Sequence, residues 1–186
     1  MIRGMLRRVV GACRRGLCDH RGVAAIEFAL ILPMLLLVGL GGYGLTDAAS
    51  TYRKLTDATV ETANITAQYT TMQAADVQSV MAATAQIMAP YSTANLTAVI
   101  SVITTDANSR ATVLWSQAYQ GGAGLRKAAA FTLPANLAQP STSYVLVQTT
   151  YKFVPLTGSG IIGSIPMQDQ MLILPRQSAS IPCTDC

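Results

Sequence analysis

Between Glu27 and Asp47 the chain carries no charged side chain, and this uninterrupted apolar run limits what the rest of the protein can be. Phe28 to Thr46 amounts to about 19 residues, or roughly 28 Å as an α-helix, close to the ~30 Å hydrocarbon thickness of a bilayer. Nine Leu, Ile, Val and Phe residues from Phe28 to Leu40 contribute roughly −3 to −5 kcal/mol to insertion, whereas one acid costs about +3 kcal/mol at a helix centre and less near an end. Insertion is therefore favourable despite Glu27 at the start of the run. A composition of 51% hydrophobic and 12% charged residues agrees, because such a chain is neither disordered nor typical of a water-soluble surface.

The net charge of +4 is unevenly placed. Residues 1–22 hold six arginines against one acid, Asp19, while the remainder holds seven bases against eight acids. The excess sits ahead of the apolar run, where it reads as a topology signal that keeps the head cytoplasmic and sends the chain after Thr46 across the membrane. No nucleic-acid surface is expected. A secretory signal peptide with a cut near Ala48, Ala49 and Ser50 is the competing reading, disfavoured by the long head and by the acid that opens the apolar core. Pro33 removes a backbone donor and predicts a bend near Ala29. Gly39, Gly41, Gly42 and Gly44 either loosen the helix at the membrane exit or admit a second helix closely, the first being the simpler in a lone span. Cys13 and Cys18 fall on the reducing side; Cys183 and Cys186 fall on the oxidising side, where they either close a small disulfide loop or remain free thiols on a frayed tail.

The stretch RGVAAIEFALILP resembles the TadE-like pseudopilins of tight-adherence (Flp-type) pilus machines. Those proteins carry a basic leader, a Gly, four small or apolar residues, Glu-Phe and a hydrophobic helix with an early Pro; here these are Gly22, Val23 to Ile26, Glu27, Phe28 and Pro33. The closing stretches SYVLVQTTYKFVPLTGSG and ILPRQS are similar to the family's final strands. The resemblance implies that a prepilin peptidase cuts after Gly22, so that the mature chain begins at Val23 with Glu27 as its fifth residue. It also implies a minor pseudopilin that helps initiate or tip a pilus used in adhesion and biofilm formation. The implied partners are the peptidase, other pseudopilins, the Flp-type major pilin and inner-membrane platform proteins, with lipid around the anchor and no small-molecule substrate. Localisation would be the bacterial inner membrane, single-pass with the C-terminal domain periplasmic, and the pilus or cell surface after assembly. In such an assembly Glu27 would exchange a desolvated charge for an ion pair with a neighbouring subunit's new N-terminal amine, fixing axial register; alone, it would simply snorkel to the interface.

Three parts are expected: a leader over residues 1–22, an anchor helix over 23–46 and an exported domain over 47–186. The segment after the anchor lacks Gly and Pro, with Leu45, Ala49, Tyr52, Val60, Ala63 and Ala67 near one helical stripe, so the helix should continue as a stem. A second helix places Val77, Val80, Met81, Ile87 and Met88 on one face, Thr84 being its one polar member, and stops at Pro90. Strands are expected over Leu96–Thr104, Ala111–Tyr119, Tyr144–Val154 and Met167–Leu174, the first two joined by the turn TDANSR. Residues 120–143 read as a long loop with a short helical turn at LRKAAAF. The fold class is α+β and pilin-like: a long helix packed with a second on an antiparallel sheet of about four strands.

Catalysis has no apparent basis. The one histidine, His20, lies in the leader, so no Ser-His-Asp or Cys-His set can form in the exported part. Cys13, Cys18 and His20 lack a fourth ligand and the usual spacing for a structural metal, Asp106, Asp169 and Asp185 show no paired spacing, and no phosphate-cradling Gly loop is complete. No cofactor is expected. Arg53 and Lys54 suit headgroups or a solvated face, and Tyr151, Phe153 and Trp115 read as core. The rival function is a membrane-tethered or secreted binding module whose 120–143 loop recognises an envelope partner.

Overall fold

Helix α1, Val23–Thr66, runs for 44 residues through Pro33 without interruption. At 1.5 Å per residue that is about 66 Å, twice a bilayer core, so one end must answer to a different environment from the other. The structure, a computed structural model, describes residues 22–134, 136–155 and 163–186. The leader with Cys13, Cys18 and His20, and the GSG of residues 158–160, lie outside the described residues. The chain divides into two units, Met1–Leu45 and Thr46–Cys186.

In the first unit the described residues of α1 are helical and none is buried. In the second unit α1 buries Thr51, Leu55, Ala58, Thr59, Thr62, Ala63 and Thr66. This corrects the expected stripe. Ala63 and Ala67 are fully buried, but Leu45 and Tyr52 are 75% and 46% exposed, Ala49 is exposed and Val60 only half-buried. The face is turned toward threonines because each satisfies its hydroxyl on its own helix: Thr59 donates to the Leu55 carbonyl at 2.7 Å, Thr62 to Ala58 at 2.6 Å and Thr66 to Thr62 at 2.8 Å. A hydroxyl so paired costs little to bury, and its methyl packs as a hydrocarbon.

Helix α2, Ala74–Ile87, buries Val77, Val80, Met81, Thr84 and Ala85. Asp76 closes its first turn by accepting from the Gln73 amide at 2.9 Å, an acid where the helix dipole favours one. The helix ends at Met88, ahead of a cis Ala89–Pro90 bond, and a 3₁₀ turn, Thr93–Asn95, leads into the sheet.

The sheet has five strands: β1 (Leu96–Thr105), β2 (Ala111–Tyr119), β3 (Ala130–Phe131), β4 (Ser143–Phe153) and β5 (Ile165–Ile173), in the order β3-β2-β1-β4-β5. All pairings are antiparallel. The expected hairpin turn is present, with Asp106 Oδ1 accepting from the Asn108 and Arg110 amides at 2.8 Å each. The register of β1 on β2 shifts between Val102 and Ile103, which leaves Leu114 as a bulge. Two expectations need correction. The LRKAAAF stretch forms a turn and then β3, whose two residues pair with Thr112 and Ala111 and make a fifth strand; two residues are too few for any alternation to announce them. Pro166, which precedes the strand expected over Met167–Leu174, lies inside β5 opposite Lys152, where an edge strand tolerates a missing N–H.

Both faces of the sheet are covered at one end. On the helix side Ala63, Val77, Val80 and Met81 pack with Ile100, Val102, Val145 and Val147, and Leu55, Ala58 and Met88 pack with Leu96, Tyr151 and Phe153. On the other side Ile103, Tyr144 and Leu146 pack with Leu125, Phe131, Leu133 and Ala138. The 120–143 segment is therefore a cover. Gly122 passes so close that a Cβ there would lie 3.1 Å from Val99 Cγ2 and 3.2 Å from the Ala98 carbonyl, and Leu125 donates its amide to Ser116 Oγ at 2.9 Å. Trp115, Tyr151 and Phe153 are all buried, in keeping with their alternation.

Candidate functional site

The feature of the chain with no role in its own folded core is the described part of the first unit. An apolar window in α1 has mean hydropathy 2.5 and none of it is buried, making α1 the one helix among the described residues long and apolar enough to cross a membrane. Val23 is 47% exposed and Phe28 59%, and Glu27 is exposed as well. Such a continuous apolar surface is out of place in water and marks a membrane or protein contact.

Gly22 immediately precedes α1, with Val23 its first residue and Glu27 one turn further along. Gly22 has no left-handed φ, and a Cβ built on it would touch nothing within 4 Å. The fold of this chain therefore makes no demand for glycine at that position. The same holds for a Cβ at Gly39, Gly41, Gly42 and Gly44, although glycine in a helix interior costs roughly 1 kcal/mol against alanine. Pro33 likewise lies inside the continuous helix. Glycine and proline inside a helix weaken it when it stands alone.

Immediately past the apolar segment, Asp47 receives a hydrogen bond from Tyr91 Oη at 3.0 Å through its carboxylate and one from Thr51 Oγ1 at 2.9 Å through its backbone carbonyl. Burial, reinforced by neighbouring Tyr91 and Asp47, pushes the Tyr151 hydroxyl above the usual tyrosine pKa. This arrangement ties the first turns of the stem to the segment after α2. It has a faint sequence signal, an acid at the end of an apolar run, but Tyr91 lies 44 residues away.

At the other end of the stem, Cys183 and Cys186 are joined by a disulfide with Cα atoms 5.5 Å apart. Cys183, Asp185 and Cys186 are a group of potential metal ligands, but a disulfide offers no thiolate. The chain around the bond is woven into the α1–α2 corner. Arg176 donates its amide to the Ala67 carbonyl and its guanidinium to Asn64 Oδ1, both at 2.8 Å. The Met72 amide donates to the Pro182 carbonyl at 3.0 Å, and Asp185 Oδ1 accepts from the Ala74 amide at 2.7 Å. Ile181 is fully buried, and its carbonyl accepts from Trp115 Nε1 at 2.7 Å.

Among the described residues, one surface depression is polar, lined by Gln148, Thr150, Gln168 and Asp169 among others, and another is apolar, lined by Leu137, Tyr144, Leu172 and Leu174 among others. Neither gathers an acid, a base and a nucleophile.

Residues 22–64 match the family of TadE-like proteins. The matched region begins at Gly22, includes Glu27, Phe28 and Pro33, and ends in the buried half of α1. No curated protein and no solved structure matches the chain.

Proposed function

We propose that this chain, whose residues 22–64 match the family of TadE-like proteins, is a minor pseudopilin of the tight-adherence pilus. In this reading the chain is inserted with its basic head in the cytoplasm and clipped between Gly22 and Val23 by a prepilin peptidase. It is then packed through α1 against other pseudopilins and the major pilin to initiate or tip the filament. It acts as a structural subunit, with no reaction of its own.

The observation that carries the proposal is a solvent-exposed apolar helix whose first residue follows a glycine that nothing in the fold requires. A peptidase needs an open, extended backbone at the bond it cuts, which glycine supplies. Cleavage would create an amine at Val23, one helical turn or about 6 Å along the axis from Glu27. In lipid both charges are costly alone, so pairing between neighbouring subunits favours one axial register. The rival binding module loses support because apolar residues of its supposed recognition loop, Leu125, Phe131 and Leu133, cover the sheet.

N-terminal sequencing of the membrane-extracted protein from a host with the peptidase tests the first step. The sequence should start at Val23; a chain still starting at Met1 rules out processing. Glu27→Gln should still be clipped yet fail to enter filaments, and normal piliation by that variant removes the ion-pair argument.

A further inference from the structure

We propose that the Cys183–Cys186 disulfide is the catch of a redox-operated clasp, which holds residues 181–186 over the α1–α2 corner and stiffens α2 only after export. The proposal rests on the orientation proposed above, with the second unit exported, but not on assembly into a filament, and its contacts lie within the second unit.

Four contacts converge on a short stretch of chain. Ile181 fills a fully buried position. Its carbonyl is the acceptor of the Trp115 indole at 2.7 Å. Met72 bonds the tail on both sides, donating to Pro182 and accepting from the Thr184 amide at 3.3 Å, as a parallel bridge opposite Cys183. Asp185 Oδ1 holds the Ala74 amide, a first-turn donor of α2 that has no intrahelical partner. The tail thus supplies an anion to the positive end of α2 and a partner to a buried indole. Asp185 lies between the two cysteines, so the bond fixes the short turn that aims its carboxylate. The bond joins residues three apart and so acts by holding the 183–186 turn in the shape that its contacts with Met72 and Ala74 require.

Closure oxidises both thiols. The thiolate of one cysteine attacks a disulfide-bearing oxidant, forming a mixed disulfide and releasing one thiol; the second cysteine then displaces the other. One S–S bond forms in the protein and one breaks in the oxidant, whose two sulfurs leave as thiols carrying the two protons. In a reducing cytoplasm the equilibrium keeps the clasp open.

The test uses the full chain in detergent micelles, oxidised and after treatment with a phosphine reductant, together with the Cys183→Ser/Cys186→Ser variant. Hydrogen exchange is followed over residues 72–77 and 178–185 and, as a reference, over β1 and β4; fluorescence reads Trp115, the sole tryptophan. Loss of so small a closed loop should raise exchange in the two test segments about twentyfold and red-shift Trp115 emission, with β1 and β4 unchanged. Asp185→Ala with the disulfide intact should raise exchange at residues 72–77 and leave Trp115 emission in place. Equal exchange and emission in oxidised and reduced protein overturn the proposal. So does loss of protection across β1 and β4 in step with the tail, which is global unfolding, and so does peptide mass mapping that finds Cys183 and Cys186 both as free thiols in protein from an oxidising compartment.

Discussion

The hydroxyl of Thr62 on α1 lies 2.5 Å from that of Thr84 on α2, both side chains being buried, and each also points at a carbonyl of its own helix. A hydroxyl has one hydrogen. The two side chains together have two hydrogens for three contacts, so one carbonyl bond must be shared with the bond between the helices. Thr59 and Thr149 repeat the arrangement between α1 and β4, also at 2.5 Å, with Thr59 donating to Leu55 and therefore accepting from Thr149. These polar links fix the rotation of α1 against its neighbours, which a smooth alanine face would not.

Thr62→Val, which keeps the shape and deletes the hydroxyl, should destabilise the domain by about 1–2 kcal/mol, because the bond between the helices is lost in a dry site and Thr84 is left with only the Val80 carbonyl. Thr62→Val/Thr84→Val should recover most of that loss. Chemical denaturation of the four proteins in a double-mutant cycle reads the coupling directly, and strictly additive effects would show that the pair contributes nothing.

Trp115→Phe removes the only hydrogen that the indole gives to the Ile181 carbonyl and leaves a cavity at a position 2% exposed. A loss of about 2–4 kcal/mol is expected from the orphaned acceptor and the missing volume together. Thermal unfolding followed by far-ultraviolet circular dichroism measures it, and a change under about 1 kcal/mol would mean that the tail is not integral to the core.

Tyr151 gives a pH signature. The unfolded side chain ionises near 10.0 and the folded one later, chiefly because burial disfavours the phenolate. The folded state therefore holds the proton more tightly, so the stability this group adds is complete below the unfolded pKa and is lost as the pH rises through the folded value. Absorbance titration in the near ultraviolet should show a late phenol component that is lost in Tyr151→Phe. Asp47→Asn should move it back toward the ordinary value without restoring it fully, since burial is the larger cause.

Gly41→Leu separates membrane assembly from folding. A side chain there meets nothing within 4 Å in the single chain, so the melting temperature of the domain should stay unchanged. Filament incorporation, read by immunogold labelling, should fall severalfold if neighbouring helices approach at the glycines. Unchanged incorporation would leave the glycines with only a loosening role.

Much of this architecture is legible in the sequence wherever one residue type determines one environment. The apolar run, the second helix with buried Thr84 and the four longer strands all announce themselves by period. The closing strands need only a shift of one or two residues at their ends. The stem face escapes a reading that counts threonine as polar, whereas Thr51, Thr59, Thr62 and Thr66 recur at intervals of a turn or two and each has a carbonyl four residues back to satisfy it. What alternation cannot carry is partnership at a distance. Nothing local links Asp185 to Ala74 across 111 positions or Trp115 to Ile181 across 66, and β3 is too brief to have a pattern. The residues of the candidate site are the easiest to find and the hardest to justify from within, because Gly22 and Glu27 make no demand that a single folded chain explains.

The two halves of α1, one with nothing buried and one with a buried face, should tolerate substitution differently. A comprehensive substitution scan should find that, up to about Leu45, introduced charge is rejected around the whole circumference while one aliphatic residue readily replaces another. From Thr51 onward tolerance should alternate with the helical turn, permissive outward and strict to the atom inward. The point at which one pattern gives way to the other would mark the edge of the lipid without any need to see a membrane.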